Sequence, residues 1–135
     1  MNPVKILFVC HANVDRSQMA EALFRTFARE GGEYEAMSAG THVLENEGKP
    51  LADEVVRCMK ELGYDLSGSR RKQLTPQMVD EANKVVVMTS FGDVPWYLHG
   101  SPKMTYWDVP DGKGKSYEGI CAIRNQIRDL IQTLF

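Results

Sequence analysis

Residues 4–9 form an almost unbroken apolar run, Val4-Lys5-Ile6-Leu7-Phe8-Val9. A strand that is apolar on both of its alternating faces is one covered on both sides, as in the centre of a parallel sheet. The period then changes: Ala20, Leu23, Phe24, Phe27 and Ala28 follow the i, i+3, i+4, i+7, i+8 spacing of an amphipathic helix, which Gly31-Gly32 should stop. Tyr34 to Ala39 reads as a second strand closed by Gly40, followed by a polar loop over 41–49. Leu51, Val55, Cys58, Met59 and Leu62 mark one face of a second helix ended by Gly63. Residues 64–74 are irregular and basic, and Thr75-Pro76 opens a short helix with a cap and a first-turn proline. Val85-Val86-Val87-Met88 is a third buried strand and Met104 to Trp107 a fourth. Between them runs a Gly- and Pro-containing loop with Phe91, Trp96 and Tyr97. A final helix carries Ile120, Ile123, Ile127, Leu130, Ile131 and Leu134 on one stripe. Alternating strands and helices imply an open α/β sandwich with a parallel sheet. Ligands bind such folds beyond the C-terminal strand ends, where Cys10, Ser90 and the 108–111 loop would converge.

Composition narrows the picture. The chain has 135 residues, enough for one domain spanning 1–135 with a sizeable core, and 43% of them are hydrophobic. The net charge of −2 offers no basic excess for nucleic acid and no polybasic run for a membrane surface. No apolar run approaches a membrane span, and the chain enters a strand at once, so no leader is expected. Three cysteines without a Cys-x-x-Cys pair fit a reducing cytoplasm better than a disulfide framework.

The chemistry concentrates at the first strand end. Cys10 is followed by a five-residue loop, His11-Ala12-Asn13-Val14-Asp15, then by Arg16 and Ser17, where the helix pattern begins. A cysteine ending a buried strand is ordinarily core. Here, however, a thiol stands at the floor of a loop whose amides and following helix N-terminus face an anion. Arg16 can grip two oxygens of that anion in a planar fork. The same positive field is expected to lower the Cys10 pKa and favour thiolate, with a Ser17 hydroxyl donating to the sulfur. Asn13 suits a left-handed turn that braces the loop. Asp15 either repels the thiolate and bound anion or caps the new helix. The Asp108–Asp111 loop either supplies a general acid or is a polar turn.

The remaining candidates read as structural. Cys58 lies on an apolar stripe, and nothing gives Cys121 a role. His11, His42 and His99 lack metal-ligand spacing, so no metal is expected. Arg70-Arg71-Lys72 is a solvated run or a guide for an acidic substrate.

On these residues the chain resembles the low-molecular-weight protein tyrosine phosphatase family, which includes the thioredoxin-coupled arsenate reductases. The resemblance rests on Val9-Cys10 through Arg16-Ser17, on Gln18-Met19-Ala20-Glu21, on Ser38-Ala39-Gly40-Thr41 and on Trp107-Asp108-Val109-Pro110-Asp111. The Ser-Gln-Met-Ala-Glu and Trp-x-x-x-Asp runs are closer to the arsenate reductase branch than to the animal phosphatases. The resemblance implies a flavodoxin-like, three-layer α/β/α sandwich around a four-stranded parallel sheet. It implies Cys10 as nucleophile, Arg16 as phosphate clamp, Asn13 and Ser17 as loop supports and Asp111 as general acid. Residues His11, Ala12, Asn13, Val14, Asp15, Arg16 and Ser17 would form the phosphate-binding loop, with no metal or organic cofactor.

Four departures stand out. Asp15 occupies a position that is often cysteine, Ala12 one that is commonly glycine, and Gly112 the place of proline in the family's Asp-Pro motif. Residues 88–100 hold neither of the two cysteines that the reductase branch needs, and Thr89 falls about where the first would be. The expected activity is therefore hydrolysis of a phosphomonoester, phosphotyrosine foremost, through a phosphocysteine, with Trp96, Tyr97 and Trp107 as aromatic walls. The alternatives are an arsenate reductase using an external thiol and a non-catalytic phosphate-binding module. The partner would be a phosphorylated protein or a small phosphomonoester, and the oligomeric state is left open.

Overall fold

The structure is a computed structural model that describes residues 3–28 and 33–134; the Gly31-Gly32 stop lies outside the described residues. Four strands, β1 (Val4–Cys10), β2 (Tyr34–Gly40), β3 (Lys84–Val87) and β4 (Met104–Tyr106), form one parallel sheet in the order β2-β1-β3-β4. Four helices, α1 (Arg16–Ala28), α2 (Asp53–Lys60), α3 (Pro76–Glu81) and α4 (Tyr117–Ile131), and short 3-10 turns cover it.

β1 is apolar throughout because it is central. Ile6 and Phe8 face a core built with α1, α2 and α4, while Leu7 and Val9 face a second core with Leu74, Val79 and Leu98. Phe8 meets Phe24 of α1 at 5.7 Å and Trp107 at 6.2 Å between ring centroids. The expected sandwich is therefore present, with helices on both faces. Thr75 caps α3 by accepting from the Met78 N–H at 3.3 Å, with Pro76 first in the helix, as its sequence predicts.

Local expectations fail at element ends. Phe27, expected on the buried stripe, is 41% exposed, and its neighbour Ala28 is the buried residue. Leu62 lies beyond the end of α2 and is 37% exposed. The polar loop after β2 contains a 3-10 turn, Leu44–Asn46.

The chain runs from β1 outward to β2, then returns past β1 to β3 and on to β4. The direction reverses between β1 and β3, so the crevice beyond their carboxyl ends is the switch point where such sheets bind ligands. Cys10 ends β1 and Met88 follows β3, on the two sides of that crevice.

Phe8→Ala should cost about 3–5 kcal/mol of unfolding free energy, because it empties a fully buried site between α1 and Trp107. Trp96→Ala, at a side chain 82% exposed, should stay within about 0.5 kcal/mol. Urea denaturation of both variants checks the contrast.

Candidate active site

The loop from His11 to Asp15 turns on Asn13, whose φ of 54° lies in the left-handed region that asparagine tolerates. Its buried amide is fully used. Nδ2 donates to Ser17 Oγ at 2.7 Å and to Ser38 Oγ at 3.1 Å; Oδ1 accepts from Gln18 Nε2 at 2.8 Å and from the Lys72 N–H at 2.9 Å. Gln18 also donates to the Arg70 carbonyl at 3.0 Å. The basic run 70–72 thus braces the loop through its backbone, a role its charge pattern does not suggest. Gly40 supports the loop from β2: a Cβ there would stand 2.7 Å from the His11 carbonyl and 2.8 Å from the Asn13 nitrogen.

Cys10 is completely buried. Its sulfur lies 3.0 Å from Ser17 Oγ. Since Asn13 Nδ2 donates to that oxygen, the Ser17 proton is free to point at sulfur. Burial is the largest influence on the thiol and pushes its pKa up; Asp15 adds to the rise, while Arg16 and the hydroxyl and backbone N–H of Ser17 oppose it. The net direction is upward from the ordinary value of 9.0, not downward as the positive loop alone suggests. The correction has a clear cause. The sequence displays the cation and the hydroxyl but not the loss of water around the sulfur, nor that the Asp15 carboxylate is buried beside it.

Asp15 caps the helix, and its charge also acts on the thiol. Its carbonyl accepts the first helical bond from the Met19 N–H at 2.9 Å, and its Oδ1 accepts the Arg16 N–H at 2.6 Å. It therefore caps α1 while raising the Cys10 pKa. Its other oxygen, Oδ2, accepts the Gly112 N–H at 2.9 Å.

Arg16 is buried with its guanidinium split between tasks. Nη1 donates to the Met88 carbonyl at 2.5 Å and to the Val109 carbonyl at 3.3 Å, tying the ends of β3 and β4 together. Nε is buried, makes no hydrogen bond among the described residues and stands 3.7 Å from Asp15 Oδ1, and Nη2 stands 3.7 Å from Asp111 Oδ2. The Nε–Nη2 edge is the one left for two anion oxygens. The backbone N–H groups of Ala12, Asn13 and Val14 donate to no backbone acceptor among the described residues.

Arg16 and His11 line a cavity of about 410 Å³ together with Met88, Thr89, Asp93, Tyr106, Asp108 and Asp111. Asp111 is half exposed there, and its Oδ1 accepts the Lys113 N–H at 3.0 Å. Asp108 lines the same cavity, while its carbonyl accepts from Gln126 of α4. The expected aromatic walls do not form: Trp107 is buried against Phe8, Trp96 is exposed elsewhere, and Tyr97 packs on the second core. Tyr106, in the strand pattern but not singled out, lines the cavity together with the His11 imidazole.

Two further residues belong to the site rim. Asp93 accepts from Ser90 at 3.0 Å and pairs with His11 Nδ1 at 3.2 Å, contacts that hold its carboxyl below the usual range, the Ser90 bond first. His42 stacks on His11 at 4.7 Å, and ligand atoms of His11, His42 and Asp93 fall within 4.8 Å of one another. Spacing along the chain cannot reveal this cluster, because His11 and Asp93 are 82 positions apart. His99 is not part of it and bonds the Val94 carbonyl. Cys58 is buried under α4, with its thiol pushed up to about 11 chiefly by burial, which suits a structural role.

The family model for the low molecular weight phosphotyrosine protein phosphatase matches residues 5–92. Among solved structures, a low molecular weight protein tyrosine phosphatase from T. tengcongensis is 31% identical with a TM-score of 0.86, covering 97% of each chain. The YwlE arginine phosphatase from Geobacillus stearothermophilus is 30% identical with a TM-score of 0.80, covering 98% of this chain and 90% of that one. An arsenate reductase from Staphylococcus aureus (strain Newman) is 28% identical over 133 residues, 98% of this chain and 96% of its own length.

Cys10 alkylation titrated against pH should show a midpoint above the ordinary thiol value in the wild type and a lower one in Asp15→Asn. An unchanged or higher midpoint in the variant contradicts the electrostatic account.

The strand-loop-helix junction that carries the buried thiol, the split guanidinium and the asparagine-braced loop lies within the matched segment, and by that match the chain belongs to the low molecular weight phosphotyrosine protein phosphatase family, which includes cysteine-dependent phosphatases.

Proposed function

We propose that this protein hydrolyses phosphomonoesters through a phosphocysteine at Cys10. The observation that carries the reading is the buried Nε of Arg16, which has an ion-pair neighbour in Asp15 but no hydrogen-bond acceptor among the described residues, on a side chain lining the cavity that holds Asp111, next to the thiol-bearing loop. Buried guanidinium nitrogens are ordinarily hydrogen-bonded, and an anion straddling the Nε–Nη2 edge satisfies this one.

The Cys10 thiol gives its proton to a non-bridging oxygen of the bound phosphoryl dianion, and the resulting thiolate attacks phosphorus. The bond from phosphorus to the ester oxygen breaks, and its electron pair leaves with that oxygen, which takes the proton of Asp111. Arg16 and the amides of residues 11–15 hold the equatorial oxygens as charge shifts onto them. The Asp111 carboxylate then takes a proton from water, water oxygen bonds phosphorus, and the electron pair of the phosphorus–sulfur bond returns to Cys10. Ser17 donates to that sulfur as it leaves.

Phosphotyrosine is the substrate class this reading favours, with Tyr106 rather than a tryptophan as the aromatic side of the cavity. The substrate is a phosphorylated protein or a small phosphomonoester. Three free thiols suit a reducing cytoplasm, and no helix among the described residues is long and apolar enough to cross a membrane.

The second reading is arsenate reduction with an external thiol, favoured by the curated relatives named arsenate reductase. The region following β3 offers no cysteine to relay a disulfide; Thr89 is buried there, and Cys58 and Cys121 sit on α2 and α4.

Turnover of p-nitrophenyl phosphate should fall at least about a hundredfold in Cys10→Ser, while phosphate binding survives. Asp111→Asn should slow phenyl phosphate far more than p-nitrophenyl phosphate, since only the poor leaving group needs the proton. Activity retained in Cys10→Ser, or that leaving-group dependence appearing in Asp108→Asn instead, contradicts these assignments. Arsenate-dependent thiol oxidation without phosphate ester hydrolysis favours the second reading.

A further inference from the structure

We propose that Asp15 is a positioning residue that fastens the loop bearing Asp111 to the phosphate loop, and that Gly112 is its matched partner. The inference rests on the phosphatase reading above. The two oxygens of Asp15 are divided between the two loops: Oδ1 takes the Arg16 N–H at 2.6 Å, and Oδ2 takes the Gly112 N–H at 2.9 Å. The second bond joins residues 97 positions apart and is buried. It grips the peptide unit immediately following Asp111. Asp111 itself is held from both sides of that point, by the Lys113 N–H at 3.0 Å and by Arg16 Nη2 at 3.7 Å.

The chemistry of the linker is specific. Both neighbours are N–H donors, so the side chain between them must accept on two sides. A carboxylate does so; an amide would turn its own N–H groups toward one of them, and a thiol accepts only weakly. The partner is equally constrained. A Cβ on residue 112 would stand 2.5 Å from Asp15 Oδ2, closer than real contacts allow. Proline would also remove the N–H. Asp15 and Gly112, which look like two unrelated departures from the family pattern, are thus the two halves of one contact. Its carboxylate lies beside Arg16 as well, at 3.7 Å from Nε, so the negative charge brought near the anion site is matched by a buried cation.

The Asp15–Gly112 contact acts on Asp111, whereas the charge of Asp15 acts on the Cys10 thiol alike for every ester, so loss of the contact should appear as misplacement of the acid, in the difference between two esters. The test compares wild type, Asp15→Ala, Gly112→Ala and the double variant on phenyl phosphate and p-nitrophenyl phosphate. It also follows hydrogen exchange at the Gly112 amide. Asp15→Ala should lose roughly tenfold in kcat/KM on phenyl phosphate and less than about threefold on p-nitrophenyl phosphate. Gly112→Ala should lose at least as much on phenyl phosphate in the wild-type background, yet less than about twofold when Asp15 is already alanine, because the clash has gone. Gly112 amide exchange should accelerate by about tenfold or more in Asp15→Ala. Asp15→Asn, which keeps one acceptor oxygen, should fall between wild type and Asp15→Ala and serves if the alanine variant does not fold. Equal losses on both substrates, equal costs of Gly112→Ala in both backgrounds, or unchanged Gly112 exchange overturns the proposal. If wild type hydrolyses neither ester, the phosphatase reading fails, while the exchange comparison still decides whether Asp15 holds the loop.

Discussion

Asn13 stands in the left-handed region of backbone space and spends both donors and both acceptors of its side-chain amide inside the protein. That arrangement is the constraint on which the site depends. A loop of five residues between a strand and a helix cannot bury enough apolar surface to hold one shape. Here a single amide ties it to the start of α1 through Ser17 and Gln18, to β2 through Ser38 and to the 70–72 segment through Lys72. A buried amide left half-satisfied would cost about 1–3 kcal/mol per orphaned group, so the four bonds stand or fall together. The loop conformation in turn sets where Cys10, Ser17 and Arg16 stand relative to one another.

The electrostatics follow from the same packing. Ser17 receives a hydrogen bond from Asn13 and directs its own proton to sulfur, but the sulfur is shielded from water and burial outweighs the help. Arg16 is buried with two carboxylates near it, Asp15 and Asp111. The site thus holds a cation balanced by acidic groups of different function: one caps a helix and grips a loop, the other faces the cavity.

Much of this was legible in the sequence. The double-sided apolar run of β1, the change of period at residue 16 and the Thr75-Pro76 start each encode their element locally, so they survive folding unchanged. Cys10, Arg16, Asn13 and Ser17 stood out as one group because the loop that joins them is contiguous. What sequence reasoning missed depends on distant segments meeting. Asp93 and His42 join His11 only once β2 and β3 flank β1. Trp107 looked like a substrate wall but fills the core against Phe8, since a large ring next to a strand end gains more from burial than from exposure. The thiol pKa was misjudged because charge is written in the chain and desolvation is not. Asp15 and Gly112 read as separate oddities because nothing in a linear pattern couples residues so far apart.

The central claim is that Cys10 carries the phosphoryl group during turnover. Mass spectrometry of peptides from enzyme quenched in denaturant while hydrolysing p-nitrophenyl phosphate tests it most directly. A phosphoryl adduct on the peptide containing Cys10, accumulating further in Asp111→Asn because water attack is slowed, is the predicted result. Phosphate release with no adduct on Cys10 at any time, or an adduct on another residue, would contradict it.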